Sequence, residues 1–214
     1  MPWMLRKKET ASFDVDCQKG FTPLCPNELP VPKGNRIVKE LDENAKRARY
    51  RIGSKDAHCE QAKWIDRTGN RTGKRTRYVC APHYWPAHCI IGTKGFELLD
   101  GLPDTLAYDF FVWKGMELDI HPYGACYHDP QETFSTGVIE WLKLKGVRNV
   151  ICGGLALDYC LGATALQLYK SGFVVYVNLA ASPGLNEVSI KKMMLDFKFQ
   201  GIITINNARS ITSF

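Results

Sequence analysis

The sequence predicts an α/β protein, specifically an α/β/α sandwich around a mostly parallel six-stranded sheet. Three observations lead there. Short β-rich runs recur along the 214 residues with helical patterns between them. Several of these runs, "FVVYV" at 173–177 above all, are apolar throughout, as strands covered on both faces are. Glycine stands where helical patterns stop. Strands alternating with helices through right-handed crossovers produce layers of this kind.

The elements follow in order. "SFDVD" (12–16) is the first strand. Ile37, Val38, Leu41, Ala45 and Ala48 then recur at helical spacing, and "RYRIGS" (49–54) is the second strand. Residues 59–88, rich in charge, Gly and Thr, predict a long loop or a small subdomain. "DFFVW" (109–113) is the third strand, followed by a helix through Val138, Ile139, Leu142 and Lys145 that Gly146 would cap. "VRNVIC" (147–152) precedes a helix running from about Cys160 to near Gly172, and "FVVYV" comes next. A last helix holds Val188, Met193, Met194 and Phe197, and "GIITI" (201–205) closes the series. No internal repeat or low-complexity tract interrupts it, so residues 1–214 are expected to form a single domain.

Composition narrows the function classes. Hydrophobic residues at 45% and charged residues at 23% are ordinary for a soluble globular chain. The net charge of +6 is mild and local, because Lys63, Arg67, Arg71, Lys74, Arg75 and Arg77 crowd one stretch. That stretch reads as a solvated excursion, and it does not argue for a nucleic-acid partner. No run approaches the roughly 18 apolar residues a membrane span needs, and "MPWMLRKKETASF" shows no secretory pattern. The expectation is a cytoplasmic, reducing location in which the eight cysteines are free thiols. None forms a Cys-x-x-Cys pair, which disfavours a zinc knuckle or a thioredoxin-type motif. A homo-oligomer is left open.

Ligands of open α/β sheets bind beyond the carboxyl ends of the strands. There the sequence delivers Asp16, then Asp56 and His58, then Lys114, and finally Gly153, Gly154 and Cys160. Cys160 has two readings: a packed small hydrophobe, or a nucleophile at a helix start, where aligned N–H groups favour thiolate. Cys152, inside a strand, is the buried kind. Asp16 and Lys114 could equally form a structural ion pair. Asp14 competes with Asp16, although alternation along the strand turns it away from its immediate neighbours.

Five segments, in order along residues 12–205, resemble the isochorismatase-like cysteine hydrolases, whose best-known members are nicotinamidases. They are "DVDCQKGF", "KDAHC", "WPAHCIIGTKGFEL", "FVWKG" and "GGLALDYCLGATAL". The resemblance implies a triad of Asp16, Lys114 and Cys160, with an oxyanion hole from the amides of Ala156 and Cys160 and a cis peptide before Ala156. It implies one divalent metal, zinc first with iron or manganese as alternatives, held by Asp56, His58 and His88. Some relatives add a further ligand; Glu60 and Asp66 are candidates that the sequence does not place. Phe21, Trp85 and Tyr123 match positions that pack on a pyridine ring. The activity implied is hydrolysis of nicotinamide to nicotinate and ammonia through a cysteine thioester, in pyridine nucleotide salvage. Other cysteine amidohydrolases, isochorismatases, and a binding protein built on this fold are the alternatives. Leu157 in place of the family's usual Thr, Asp14 within the first strand, and the loosely similar "PYGACYH" (122–128) are departures.

Overall fold

In the computed structural model, which describes residues 2–214, the elements run as follows. They are β1 (Trp3–Leu5), β2 (Thr10–Val15), α1 (Val38–Lys46), β3 (Tyr50–Asp56), β4 (Phe110–Lys114), α2 (Val138–Leu144), β5 (Asn149–Gly154), α3 (Cys160–Lys170), β6 (Val174–Asn178), α4 (Glu187–Gln200), β7 (Ile203–Ile205) and β8 (Ile211–Ser213). Strands β2 to β7 form one six-stranded sheet in the order β4-β3-β2-β5-β6-β7, with every neighbouring pair parallel. The chain builds outward from β2 in one direction through β3 and β4, then returns to β2's other side at β5. The switch point therefore lies between β2 and β5, where open sheets of this type hold their ligands.

The sheet is buried on both faces, which accounts for its near-continuous apolar strands. On one face Phe13, Val15, Val150, Cys152, Val175 and Val177 pack with Leu142 of α2, Leu161 and Leu168 of α3 and Phe197 of α4. On the other face Ile37 and Leu41, at the start of and within α1, meet Cys17, Leu155 and Ala181. The part of that second face formed by β5, β6 and β7 is covered by an unexpected pair. β1 and β8 form a separate two-stranded parallel sheet, and Leu5 and Ile211 pack on Ile151, Tyr176 and Ile205. Runs of three residues carry too little periodicity to be found in sequence. The last helix, α4, holds the expected residues: Phe197 is buried and Met193 and Met194 pack against the core, whereas Val188 is 77% exposed. Its start is set instead by Asn186, whose side chain accepts the amides of Val188 and Ser189.

Residues 59–88 contain neither helix nor strand, yet they are packed. Ala62, Trp64, Ile65 and Ala81 form a small buried cluster, with Tyr78, Trp85 and Ile90 against it. The Asp66 carboxylate gathers the amides of Thr68, Gly69, Arg71 and Thr72, at 3.0, 3.1, 2.6 and 2.6 Å. Cations of the stretch lie outside, with Lys63 paired to Asp119 and Arg71 and Arg77 over the rings of Tyr84 and Tyr78. Among the described residues no helix is long and apolar enough to cross a membrane.

Candidate active site

Asp16, Lys114 and Cys160 meet at the switch point, fully or almost fully buried. Asp16 follows β2 directly and takes the left-handed conformation (φ 47°), which carries its side chain off the strand's alternation. Its Oδ1 accepts from Ser54 Oγ at 2.6 Å, and its Oδ2 lies 3.0 Å from Lys114 Nζ. Lys114 ends β4, donates to the Pro122 carbonyl at 3.2 Å, and stands 3.8 Å from Cys160 Sγ. It also pairs closely with Asp56. Asp14 goes elsewhere: it bonds Arg51 and Tyr108, at 2.8 and 3.0 Å. On β3, Arg51 and Ser54 point to opposite faces, so the two aspartates acquire separate partner sets.

Cys160 opens α3, but burial outweighs its place at a helix start. Burial pushes the thiol well above its ordinary value; Lys114 opposes this, and Asp56 and Asp16 add to it. Burial likewise raises the Asp16 carboxyl, against the pull of Lys114. For Lys114 burial acts downward, yet Asp16 and Asp56 together hold its ammonium well above the ordinary range. The arrangement therefore keeps a proton on sulfur beside a carboxylate of heightened basicity and a permanent cation.

The second cluster adjoins the first. Asp56, His58, His88 and His121 are all buried, each offering one ligand atom within 4.8 Å of the others. Asp56 belongs to both groups, since one oxygen faces Lys114 and the other is 3.4 Å from His58 Nε2 and 4.0 Å from Cys160 Sγ. Burial alone would raise the Asp56 carboxyl, but Lys114 and His58 hold it below the usual carboxylate range. Gln18, from the first-strand motif, clamps the Asp56 backbone: Nε2 donates to its carbonyl and Oε1 accepts its amide, both at 2.8 Å.

The histidine spacings have local causes. His58 Nδ1 lies 2.9 Å from the Gly115 carbonyl and His88 Nδ1 lies 2.7 Å from the Pro86 carbonyl, which leaves each Nε2 free. Gly115 has φ 76°, and a Cβ there would stand 2.6 Å from His58 Cε1. This explains why glycine follows Lys114. Burial pushes the His88 imidazole down to about 3, and burial with the neighbouring imidazoles pushes His121 well down, so both are neutral. His58 Nε2 and both His121 nitrogens are buried without a hydrogen-bond partner in the polypeptide. Unpaired imidazole nitrogens converging with a carboxylate fit a divalent transition metal.

His121 was absent from the sequence expectation. Its segment, "DIHPY", has no helix, strand or ligand spacing to mark it; its only signal was a histidine seven residues beyond Lys114. Of the alternatives considered, Asp66 is committed to its own turn and Glu60 is exposed.

A pocket opens where the two clusters meet, lined by Cys160 of the first and by Asp56, His88 and His121 of the second. Phe21, Trp85 and Tyr123 line it, and so do Ala156 and Cys160; Leu29, Tyr159 and Leu185 complete an apolar rim that the sequence did not suggest. Trp85 Nε1 donates to the Tyr123 hydroxyl at 3.2 Å, and Phe21 lies 5.3 Å from the His88 ring. The Leu155–Ala156 peptide is cis. Among the described residues, the amides of Ala156 and Cys160 have no acceptor in the polypeptide. Gly154 (φ 135°) permits this turn, because a Cβ there would strike the Val15 backbone. Asp158 ties the turn to the following loop, accepting the amides of Leu185 and Asn186 at 3.0 and 3.1 Å and the Ser189 hydroxyl at 2.6 Å.

A parallel α/β sheet with a buried aspartate, lysine and cysteine at its switch point places the chain among α/β hydrolytic folds of the isochorismatase type, and residues 10–205 match the isochorismatase domain. The chain belongs to that family. It is 28% identical over 188 residues to the nicotinamidase of Acinetobacter baylyi, covering 86% of this chain and 85% of that one. Its fold superposes on a nicotinamidase/pyrazinamidase of Acinetobacter baumanii with a TM-score of 0.84 at 27% identity, over 92% of this chain and 96% of that one. A pyrazinamidase of Pyrococcus horikoshii in complex with zinc gives a TM-score of 0.73 at 28% identity, over 92% and 98%.

Proposed function

We propose that this protein is a nicotinamidase, hydrolysing nicotinamide to nicotinate and ammonia in NAD salvage, with Asp16, Lys114 and Cys160 as its catalytic residues. One observation carries the reading. The Cys160 thiol, with the Asp16 carboxylate beside it and two unpaired amides, opens onto a cavity with aromatic walls that Asp56, His88 and His121 also line. A flat, uncharged heteroaromatic amide suits such a cavity.

Asp16 accepts the Cys160 proton as sulfur attacks the carboxamide carbon. The amides of Ala156 and Cys160 stabilise the oxyanion. As the C–N bond breaks, Asp16 returns the proton to the departing nitrogen, which leaves as ammonia, and a thioester remains on Cys160. Water, deprotonated by Asp16, then adds to the thioester carbon; as the C–S bond breaks the proton on Asp16 returns to sulfur, and the nicotinic acid released loses its own proton to solvent to give nicotinate. Lys114 keeps Asp16 oriented and offsets the negative charge that develops.

Asp56, His58, His88 and His121 would hold one divalent metal, which supplies an electrophilic site for the lone pair of a ring nitrogen and so orients the amide. Three nitrogens and one carboxylate suit zinc or iron better than manganese, and the zinc in the Pyrococcus horikoshii relative supports zinc. Phe21, Trp85 and Tyr123 flank the ring in this reading. Residues 1–214 act as one hydrolase domain with 59–88 as its insertion, and eight free thiols suit a reducing cytoplasm.

The test is ammonia release from nicotinamide by purified, metal-replete protein, with isochorismate and pyrazinamide in parallel. Release from nicotinamide that stops in Cys160→Ala is the expected result. Turnover of isochorismate alone would replace the reading with another family activity.

A further inference from the structure

The three imidazoles of the second cluster are not held alike. His58 and His88 each bond a backbone carbonyl through Nδ1, which is the usual way a ligating histidine is oriented. His121 has no such bond, as both of its ring nitrogens lack a partner in the polypeptide. Its backbone is tied to the insertion, with its amide donating to the Cys80 carbonyl at 2.8 Å. Its ring can be fixed only by what packs on it.

The closest aromatic ring is Trp64, 4.3 Å away and edge-on at 74°. Trp64 also stands edge-on to His58, at 4.6 Å and 76°, while His58 and His121 are nearly parallel to each other at 5.0 Å. Fully buried, it is the largest side chain in the core of 59–88. The backbone holds it firmly: Trp85 N donates to the Trp64 carbonyl at 3.2 Å, and Lys63 N donates to Leu118 at 2.7 Å. The first bond is internal to the insertion; the second, with that from His121 N to the Cys80 carbonyl, joins the insertion to the segment that carries His121.

We infer that Trp64 is the positioning residue of His121, supplying through a rigid, perpendicular ring the orientation that hydrogen bonds supply to His58 and His88. The insertion would then build the proposed metal centre, contributing His88 from its own end and setting His121 from its core. This inference rests on the metal reading above and extends it to a residue that touches neither metal nor substrate.

The experiment measures Co(II) and Zn(II) affinity by chelator competition, together with the visible spectrum of the Co(II) protein. Wild type is compared with Trp64→Ala, Trp64→Leu, Trp64→Phe, His121→Ala and the double variant Trp64→Leu/His121→Ala, with each fold checked by circular dichroism. Trp64→Leu keeps the small core filled should Trp64→Ala fail to fold. Trp64→Leu is expected to weaken metal by about 10- to 100-fold and to shift the Co(II) bands, whereas Trp64→Phe stays near wild type. The double variant should bind no more weakly than His121→Ala alone, because the tryptophan acts through that histidine. Wild-type affinity in Trp64→Leu, or a loss that adds in full to that of His121→Ala, would overturn the inference. A wild-type protein that binds neither ion would overturn the metal reading itself.

Discussion

Asp14 and Asp16 are two residues apart, and alternation would place them alike, yet they answer to different partners. The left-handed turn at Asp16 makes the difference, and substitution separates the pair. Asp16→Asn and Cys160→Ala should each lower kcat by about a thousandfold or more, while Asp14→Asn should keep turnover near wild type; equal losses in the two aspartate variants would refute the assignment. The pH profile of kcat/KM should fall on its acid side above the ordinary carboxylate range of about 4, because burial raises Asp16 and its protonation removes the base. A limb at or below that range would refute a raised Asp16. Asp14 gives a separate stability signal: burial, partly offset by Arg51, pushes its carboxyl up to about 6. A raised acid contributes stability in full below the ordinary range and loses it as pH rises through about 6. Unfolding free energies from urea titrations at pH 4 and pH 7 should therefore differ by up to about 3 kcal/mol more in wild type than in Asp14→Asn, and equal differences would reject the shift.

At the scale of elements, strand ends rather than strands carry the site. β2, β3, β4 and β5 stop within reach of one another, and neighbours fix what three of these ends present. Gln18 grips Asp56, Ser54 grips Asp16, and Gly115 makes room for the His58 ring. Gly115→Ala tests the last of these. Its Cβ would meet His58 in a conformation already unfavourable for alanine, so metal affinity should fall by about 10-fold or more with the sheet intact. Chelator competition and far-UV circular dichroism read the two effects separately; unchanged affinity would show that the ring has room to move.

For the molecule as a whole, the sheet and the insertion differ in what supports them. The sheet has a deep core on both faces, whereas 59–88 has a small one and leans on the four-residue cluster. Metal removal should consequently raise amide exchange in 59–88 and around His121 while β2 and β5 stay protected. Uniform protection before and after chelation would contradict that division. Much of this architecture was legible in the chain itself. The alternation of apolar runs with helical periodicity determined a parallel layered fold, and strand ends in "SFDVD", "FVWKG" and "GGLALDYC" marked Asp16, Lys114 and Cys160, because period and position along a strand are local properties. The short β1–β8 pair, the turn that parts Asp16 from Asp14, the elevated thiol of Cys160 and the arrival of His121 were decided only by the tertiary structure. Each depends on burial or on contacts between segments remote in sequence, and neither leaves a local pattern: His121 faces His58 only because the insertion, anchored through Trp64 and Cys80, brings the two chain segments together.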